Sequence, residues 1–431
     1  MNHQSTDHRR LLTAVVGSTV GTTIEWYDFF LYGTAAAMVF PKVFFPHQSE
    51  FAGLISSFGT YSVGFLFRPL GGAIFGHIGD QHGRKAALVA TLLLMGVSTL
   101  LIGFLPSYDQ IGIAAPLLLV ALRILQGIGV GGEWGGAILI AMESGHRSRH
   151  GLLASFPQAG VPIGLLLSTG VMALCEGWLS QDDFMTWGWR IPFFASFLLI
   201  VVGFWIRSFV TESPQFTAMK AQKRTAQTPI IDVIRTNWKD ILLGAGCRLS
   251  ENSVFYIFAT YVLAYGKTVL DLPRSVTLTS VNIAAAVACF TIPLFGIASD
   301  LSSRKTIYYV GNVLLILLVV PYYAALATRQ TPAVILATVI MLGIVHAMLY
   351  AVQGALISEI FATRLRYTGA SLAYQLAGPF AGGLAPIIAA SLVQYFPNTY
   401  LPLAGYIIFL AILSTASVYF LSETTHKDIA D

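Results

Sequence analysis

The chain has 431 residues, of which 55% are hydrophobic and only 11% charged, with a mean hydropathy of +0.70. Its 25 Lys and Arg and 21 Asp and Glu are too few to coat a soluble protein of this length and lie between long apolar runs, which excludes a cytosolic enzyme. The net charge of +4 does not point to nucleic acid, because the bases sit at the ends of those runs, and Cys175, Cys247 and Cys289 offer neither a disulfide framework nor metal-ligand spacing.

Twelve apolar runs are predicted to be membrane-spanning helices, at about 12–40, 51–79, 86–105, 112–142, 151–176, 188–209, 240–266, 275–298, 306–327, 332–358, 368–394 and 399–421. The first follows Arg9 and Arg10 as a signal peptide would. It continues to Phe40 without a small-residue cleavage site, so it reads as an uncleaved helix. Twelve spans put both termini on one side. Seventeen Lys and Arg fall in segments on that side, Arg207, Lys223, Arg224 and Lys427 among them, and five fall opposite (Lys42, Arg190, Lys267, Arg274, Arg329). The excess of bases places both termini in the cytoplasm.

The one long interruption, 210–239, reads as a cytoplasmic linker between a six-helix bundle at 1–209 and a second at 240–431. The halves echo one another. GHIGDQHGRK (76–85) is answered by GIASDLSSRK (296–305), Arg147, Arg149 and Gln158 by Arg364, Arg366 and Gln375, and Thr211-Glu212-Ser213 by Ser422-Glu423-Thr424. Three echoes in order indicate a duplicated six-helix unit, the parallel-repeat architecture of a rocking transporter.

Seven charges lie inside the runs: Glu25, Asp28, Arg68, Arg123, Glu133, Arg248 and Glu251. Each costs about 2.5–3.5 kcal/mol at a helix centre, so they either neutralise one another or line a polar pathway. Glu25 and Asp28, three apart, share a helix face, where two carboxylates favour holding one proton. Arg123, Gly127, Gly131 and Gly135 form a stripe for close helix contact. Glu133 points away from that stripe, toward a cavity or a polar partner, and Arg123 needs an acid from elsewhere, for which the first-helix pair is the candidate. Arg248 and Glu251 are either an intrahelical ion pair or a carboxylate-binding Arg held by its neighbour, with Asn252 beside them. Tyr256, Tyr374 and Gln375 could give hydroxyl and amide contacts to a substrate. His346, alone deep in a span, reads as a hydrogen-bonded packing residue before a proton relay, and Arg68 as a cap for carbonyls freed by Pro69 before an anion site.

Gly76-x3-Asp80-x2-Gly83-Arg84-Lys85 resembles the loop signature of the major facilitator superfamily, and Arg123-x2-Gln126-Gly127 its fourth-helix motif. EWYDFFLYG (25–33), FRPLGGAIFGHIGD (67–80), LRILQGIGVGGEWGG (122–136) and WGWRIP (187–192) narrow the resemblance to the metabolite:proton symporters, the group of shikimate, α-ketoglutarate, citrate and proline/betaine carriers. The resemblance covers nearly the whole chain. It implies an all-α integral membrane protein of twelve helices in two pseudo-repeated bundles, bringing a small organic metabolite across a bacterial inner membrane with protons, as a monomer and with no cofactor or metal. Asp80, Arg84 and Lys85, and in the second half Asp300, Arg304 and Lys305, would then latch one state closed. Ser303 stands where the second loop is expected to have glycine, which predicts a weaker second latch.

The expected function is therefore proton-coupled symport of a small organic acid, such as shikimate or a dicarboxylate, with Arg248 as leading anion contact. Asp28, Glu133 and Glu25 are the candidate proton carriers. A zwitterionic osmolyte symporter and a drug:proton antiporter are the alternatives, the first disfavoured by the short tail after Leu421. A membrane enzyme would need a nucleophile or metal set that the spans do not contain.

Overall fold

The computed structural model describes residues 2–222 and 226–424; Lys223, Arg224 and Lys427, counted above among the inner bases, lie outside the described residues. Twelve long helical segments run in chain order: α1 (Asn2–Met38), α2 (Glu50–His82), α3 (Arg84–Phe104), α4 (Ala114–Glu143), α5 (His150–Trp178) and α6 (Ile191–Phe209), then α7 (Pro229–Tyr256, continuing through Ile257–Tyr261 and Val262–Thr268) and α8 (Arg274–Leu301). They are followed by α9 (Arg304–Ala327), α10 (Thr331–Thr338, Val339–Val345, His346–Ser358), α11 (Arg366–Leu376, Gly378–Leu384, Ala385–Tyr395) and α12 (Leu401–Phe420). Among the described residues nine of these are long and apolar enough to cross a membrane on length and composition alone. The other three, α1, α2 and α7, are the helices that carry Glu25, Asp28, Arg68, Arg248 and Glu251. A helix that brings charge into the bilayer necessarily reads as less apolar.

Helix ends follow local chemistry. Ser49 and Ser213 accept from Ala52 N at 3.2 Å and Phe216 N at 3.1 Å, and α6, α7, α10 and α12 each have proline in the first turn. The helix before the seventh predicted span starts at Pro229, eleven residues inside the expected linker, and kinks at Asn237 (φ −126°, ψ 24°) before entering the bundle. A short helix, Pro214–Ala221, precedes it.

The two six-helix sets meet along two helix pairs, α2 against α11 and α5 against α8. The sequence echo exchanges these pairs, since α2 corresponds to α8 and α5 to α11. Within the first set, Gly127 and Gly131 of α4 press against the backbone of α2 at Gly64 and Arg68, while Gly135 reaches Ser371 of α11.

One face of this assembly is closed by a reciprocal exchange of carboxylates. Asp80 at the end of α2 accepts from the first amides of α11, Tyr367 N at 3.3 Å and Thr368 N at 2.9 Å, and from Thr368 Oγ1 at 2.8 Å. Asp300 at the end of α8 accepts from the first amides of α5, Gly151 N and Leu152 N, both at 2.8 Å. Each acid thus satisfies orphan N–H groups and the positive end of a helix in the opposite set. Each is braced by its own arginine one turn on, Arg84 at 3.1 Å and Arg304 at 2.7 Å. Arg84 also donates across the seam to Thr363 O at 3.0 Å. Gly76 lies where α2 touches α11, and a methyl there would stand 2.7 Å from Thr368 Cα. Lys85 Nζ donates to Ser208 O at 2.9 Å and Lys305 Nζ to Tyr419 O at 3.3 Å, tying each turn to the last helix of its own set.

The third echo supplies the outer layer. Ser213 Oγ donates to Glu143 at 2.6 Å and Thr424 Oγ1 to Glu359 at 2.8 Å. Glu143 also holds Arg366 at 3.2 Å, and Glu359 holds His150 at 3.1 Å and Arg304 at 3.5 Å, again across the seam for Arg366 and His150. Burial works to raise the Glu359 carboxyl, but the His150 hydrogen bond and the Arg304 charge outweigh it and hold it below the ordinary glutamate value.

The serine at 303 acts otherwise than its residue type predicts. Gly83 has φ +121° and ψ 153°, a conformation open essentially to glycine, whereas Ser303 takes an extended φ of −156° and caps Thr306 N at 3.2 Å. The second turn therefore adopts a different backbone instead of a strained copy of the first. A methyl at Gly83 would lie 2.2 Å from Glu212 Oε2, which is fixed by Arg84 N at 3.1 Å through its other oxygen and by Lys85 N at 3.2 Å. Gly83→Ala is expected to destabilise the protein by about 1–3 kcal/mol, and Ser303→Gly to destabilise it slightly through loss of the cap; melting in detergent checks both, and a rise in Tm for Ser303→Gly would contradict this account.

Candidate functional site

The interior of the first set holds an eighth charge. Arg207, counted by sequence at a cytoplasmic margin, is 2% exposed and pairs with Glu133, donating also to Leu88 O. Thr91 Oγ1 completes the Glu133 site at 2.7 Å. The polar partner that Glu133 required is thus Arg207 of α6, whose long side chain reaches inward from near the helix end. The imbalance of four acids to three bases among the interior charges was the signal that a base had been left out.

Asp28 has no basic partner among the described residues. It accepts from Ser196 Oγ of α6 at 2.6 Å and Thr99 Oγ1 of α3 at 2.9 Å. Thr99 in turn accepts from Gln126 Nε2 at 2.7 Å, and Gln126 Oε1 accepts from Arg123 Nη1 at 3.1 Å. Arg123 therefore meets the first-helix acid only through two neutral side chains, contrary to the expected ion pair. Its guanidinium rests on the rings of Tyr32 at 4.2 Å and of Phe29 and Tyr61, both at 4.9 Å, and its Nε and Nη2 have no hydrogen-bond partner. Glu25, 4% exposed, makes neither a hydrogen bond nor an ion pair with any described residue.

In the second set Arg248 and Glu251 adopt the intrahelical arrangement, Nε to Oε2 at 3.6 Å. Arg248 lies over the Tyr374 ring at 3.2 Å, and Trp134 of α4 stacks on the other side of the seam against Tyr374, centroids 3.6 Å apart. His346 Nε2 meets Glu251 Oε1 at 3.0 Å. Trp26, Arg248, Glu251, Asn252, His346 and Tyr374 surround a tight enclosed cleft of about 10 Å³ between the two sets. Asn252 Nδ2 and both amide atoms of Gln353 are buried without a partner. Tyr256 belongs to the same region, its ring 5.3 Å from Phe65 and 5.3 Å from Phe255. Gln375 does not; its Nε2 turns to Val130 O at 3.3 Å and Gly131 O at 3.2 Å of α4.

An aromatic layer built by Phe29, Tyr61, Phe65 and Tyr256 separates this cleft from a vestibule on the face opposite the carboxylate latch. The vestibule, of about 350 Å³, is lined by Thr34, Tyr61, Thr169 and Glu176 and by Lys267 and Arg274 at its mouth. The residues of the loop signature thus gather on one face, the interior acids and bases gather near the middle, and the second face is open to a depth set by the aromatic layer. Among the described residues no group of three or more His, Cys, Asp or Glu side chains could hold a metal ion.

Residues 19–386 match the Major Facilitator Superfamily, to which the chain belongs. It is 37% identical to the shikimate transporter of Escherichia coli K12 over 96% of this chain and 95% of that one, and 36% identical to an inner membrane metabolite transport protein of the same organism over the same shares. The proline/betaine transporter of that organism is 29% identical over 98% of this chain and 86% of its own length. The fold is that of the proton:xylose symporter XylE bound to 6-bromo-6-deoxy-D-glucose, with a TM-score of 0.78 over 98% of both chains at 17% identity. The protein is a multi-pass membrane transporter and not an enzyme.

The pairing pattern separates structural acids from mobile-proton candidates. Glu133→Gln should leave Arg207 buried and unpaired at a cost of about 3–5 kcal/mol, seen as a large fall in Tm. Asp28→Asn faces only hydroxyl rotors, which turn to suit an amide, and should cost about 1 kcal/mol or less. Equal losses of Tm in the two variants would undo the distinction.

Proposed function

We propose that the protein is a proton-coupled symporter of a small organic anion in a bacterial inner membrane, working by alternating access between the sets 1–209 and 240–431 about the segment 210–239. The observation that carries this reading is the unequal pairing of the interior charges. Arg207 neutralises Glu133, and Glu251 neutralises Arg248. What is left is two acids without a base, Glu25 and Asp28, and two bases without an acid, Arg68 and Arg123.

Coupling follows from electrostatics in a medium of low dielectric. When Glu25 and Asp28 carry protons, the interior of the first set holds an excess of positive charge and draws in an anion. When the protons leave, the acids balance the bases from within and the anion loses its attraction. Proton and substrate then favour each other's binding, as linkage requires of a symporter. The second-set wall of the site is given by Arg248, Glu251, Asn252, Tyr256 and Tyr374, with Gln375 acting at the seam. The relatives named as shikimate and metabolite transporters support an organic acid as substrate, and those named for proline and betaine make a zwitterion the rival.

Asp28 is assigned as the principal proton site and Glu25 as the second, with Glu133 placed behind both because it is already paired. Asp28→Asn should abolish accumulation driven by a pH gradient in proteoliposomes while leaving at least a third of substrate exchange. Accumulation that persists in Asp28→Asn and in Glu25→Gln, and is still stopped by a protonophore, would send the proton to His346 and Glu251. The orientation is tested separately. A cysteine replacing the exposed Lys220 of the Pro214–Ala221 helix in a cysteine-free variant should react with an impermeant maleimide only from the cytoplasm.

A further inference from the structure

Arg68 of α2 is 3% exposed, and its Nε and Nη2 have no hydrogen-bond partner. Among the described residues no acid stands within ion-pair distance, and Glu25 is the carboxylate near enough to feel its charge. Its guanidinium is instead packed on three aromatic faces, Phe29 at 4.4 Å, Phe65 at 4.5 Å and Trp26 at 5.6 Å. Pro69 follows it, yet no backbone carbonyl accepts from it, so the carbonyl-capping role expected from sequence is not what its side chain does. Aromatic faces hold the charge but cannot take N–H donors in their plane, and the Tyr256 hydroxyl stands beside the guanidinium from the second set, so the fork is oriented with Nε and Nη2 left open. The side chain sits at the seam, its Cδ 3.9 Å from where a methyl on Gly378 of α11 would lie. A buried guanidinium with unfilled donors at the contact of two moving parts is costly unless an acceptor arrives during the cycle.

We infer that Arg68 receives the substrate's carboxylate, and that the substrate is a monocarboxylate whose remaining polar groups are uncharged. The assignment rests on the anion-transport reading above. The first half follows from Arg68 being open where Arg248 is engaged by Glu251 and covered by Tyr374. The second follows from the atoms left over across the seam. Asn252 Nδ2 is a neutral donor, and Gln353 Nε2 and Oε1 are a neutral donor and acceptor, a set that matches hydroxyl or carbonyl groups and adds no cation to Arg68 and Arg123, which converge on the one Phe29 ring. Phe29 is shared by the Arg68 and Arg123 guanidinium groups, so an anion at Arg68 also feels the second unpaired base through one ring.

Counterflow in proteoliposomes tests this with radiolabelled shikimate and lactate as monocarboxylates, succinate as dicarboxylate and proline as zwitterion, and with methyl shikimate and methyl lactate as uncharged competitors. The wild-type protein should exchange a monocarboxylate, exclude succinate and prefer the acid over its methyl ester by tenfold or more. Arg68→Gln should raise KM for the acid at least thirtyfold and erase the preference over the ester, and Arg68→Lys should restore part of both. Because the substitution removes an unpaired buried charge, Tm without substrate should hold or rise, which a structural role would not allow. Retention of the acid-over-ester preference in Arg68→Gln, a fall in its Tm, or transport of succinate or proline in place of a monocarboxylate overturns the assignment. A wild-type protein that exchanges none of the acids defeats the anion-transport reading as well, whereas one that exchanges a monocarboxylate equally well with Gln at position 68 defeats only the role given to Arg68.

Discussion

A charge inside a bilayer has to be neutralised or put to use, and this constraint organises the molecule from its midplane outward. Some interior charges are retired into fixed pairs, Glu133 with Arg207 and Glu251 with Arg248 and His346. Others are held by groups that cannot cancel them. Hydroxyls hold Asp28, aromatic rings hold Arg68 and Arg123, and Glu25 has neither. The distinction matters because a fixed pair resists change of protonation, while an acid held only by rotatable hydroxyls changes state at little structural cost. The polar interior is thereby divided into charges held in fixed pairs and charges held without one.

The closed face obeys the same constraint with different partners. Asp80 and Asp300 each spend their oxygens on the amides of a helix belonging to the other set, so the contact exists only while the sets are together. Separation would leave two anions and two helix N-termini to water, a tolerable exchange at the membrane surface and a prohibitive one at its centre. Reciprocity makes the closure twofold. Neither acid takes a partner from its own helix; the arginine that braces each one opens the next helix of the same set.

The spans and the duplication were legible because both are carried by pattern along the chain, apolar runs in one case and echoes that recur in the same order in the other. The third echo, a mere triplet, proved the most economical, since Ser213 and Thr424 bond equivalent glutamates. The site was legible only in part. Arg207 looked like a boundary residue because it stands two positions from the end of its run, and sequence does not say that the side chain turns inward. Glu25 and Asp28 share a helix face at a separation of 60°, yet that angle is enough to send Asp28 toward α3 and α6 and leave Glu25 out of their reach. A helical wheel gave the bearing of Arg123 but no distance to an acid. Ser303 misled for another reason, because a residue type predicts strain only if the backbone is the same, and the second turn has its own.

The three wide turns, Ile257–Tyr261, Val339–Val345 and Gly378–Leu384, all fall in the second set, and each interrupts a helix that borders the central cleft or the seam. A π turn lodges one extra residue in the helix, and that residue can migrate along the axis by successive hydrogen-bond exchange without unfolding the ends. Two halves of common ancestry have therefore come to differ in mechanical compliance. The first set, which holds the unpaired acids, has prolines inside its helices at Pro69, Pro157 and Pro162 but no π turn among the described residues. The second can absorb axial slip along α7, α10 and α11, the helices that carry these turns.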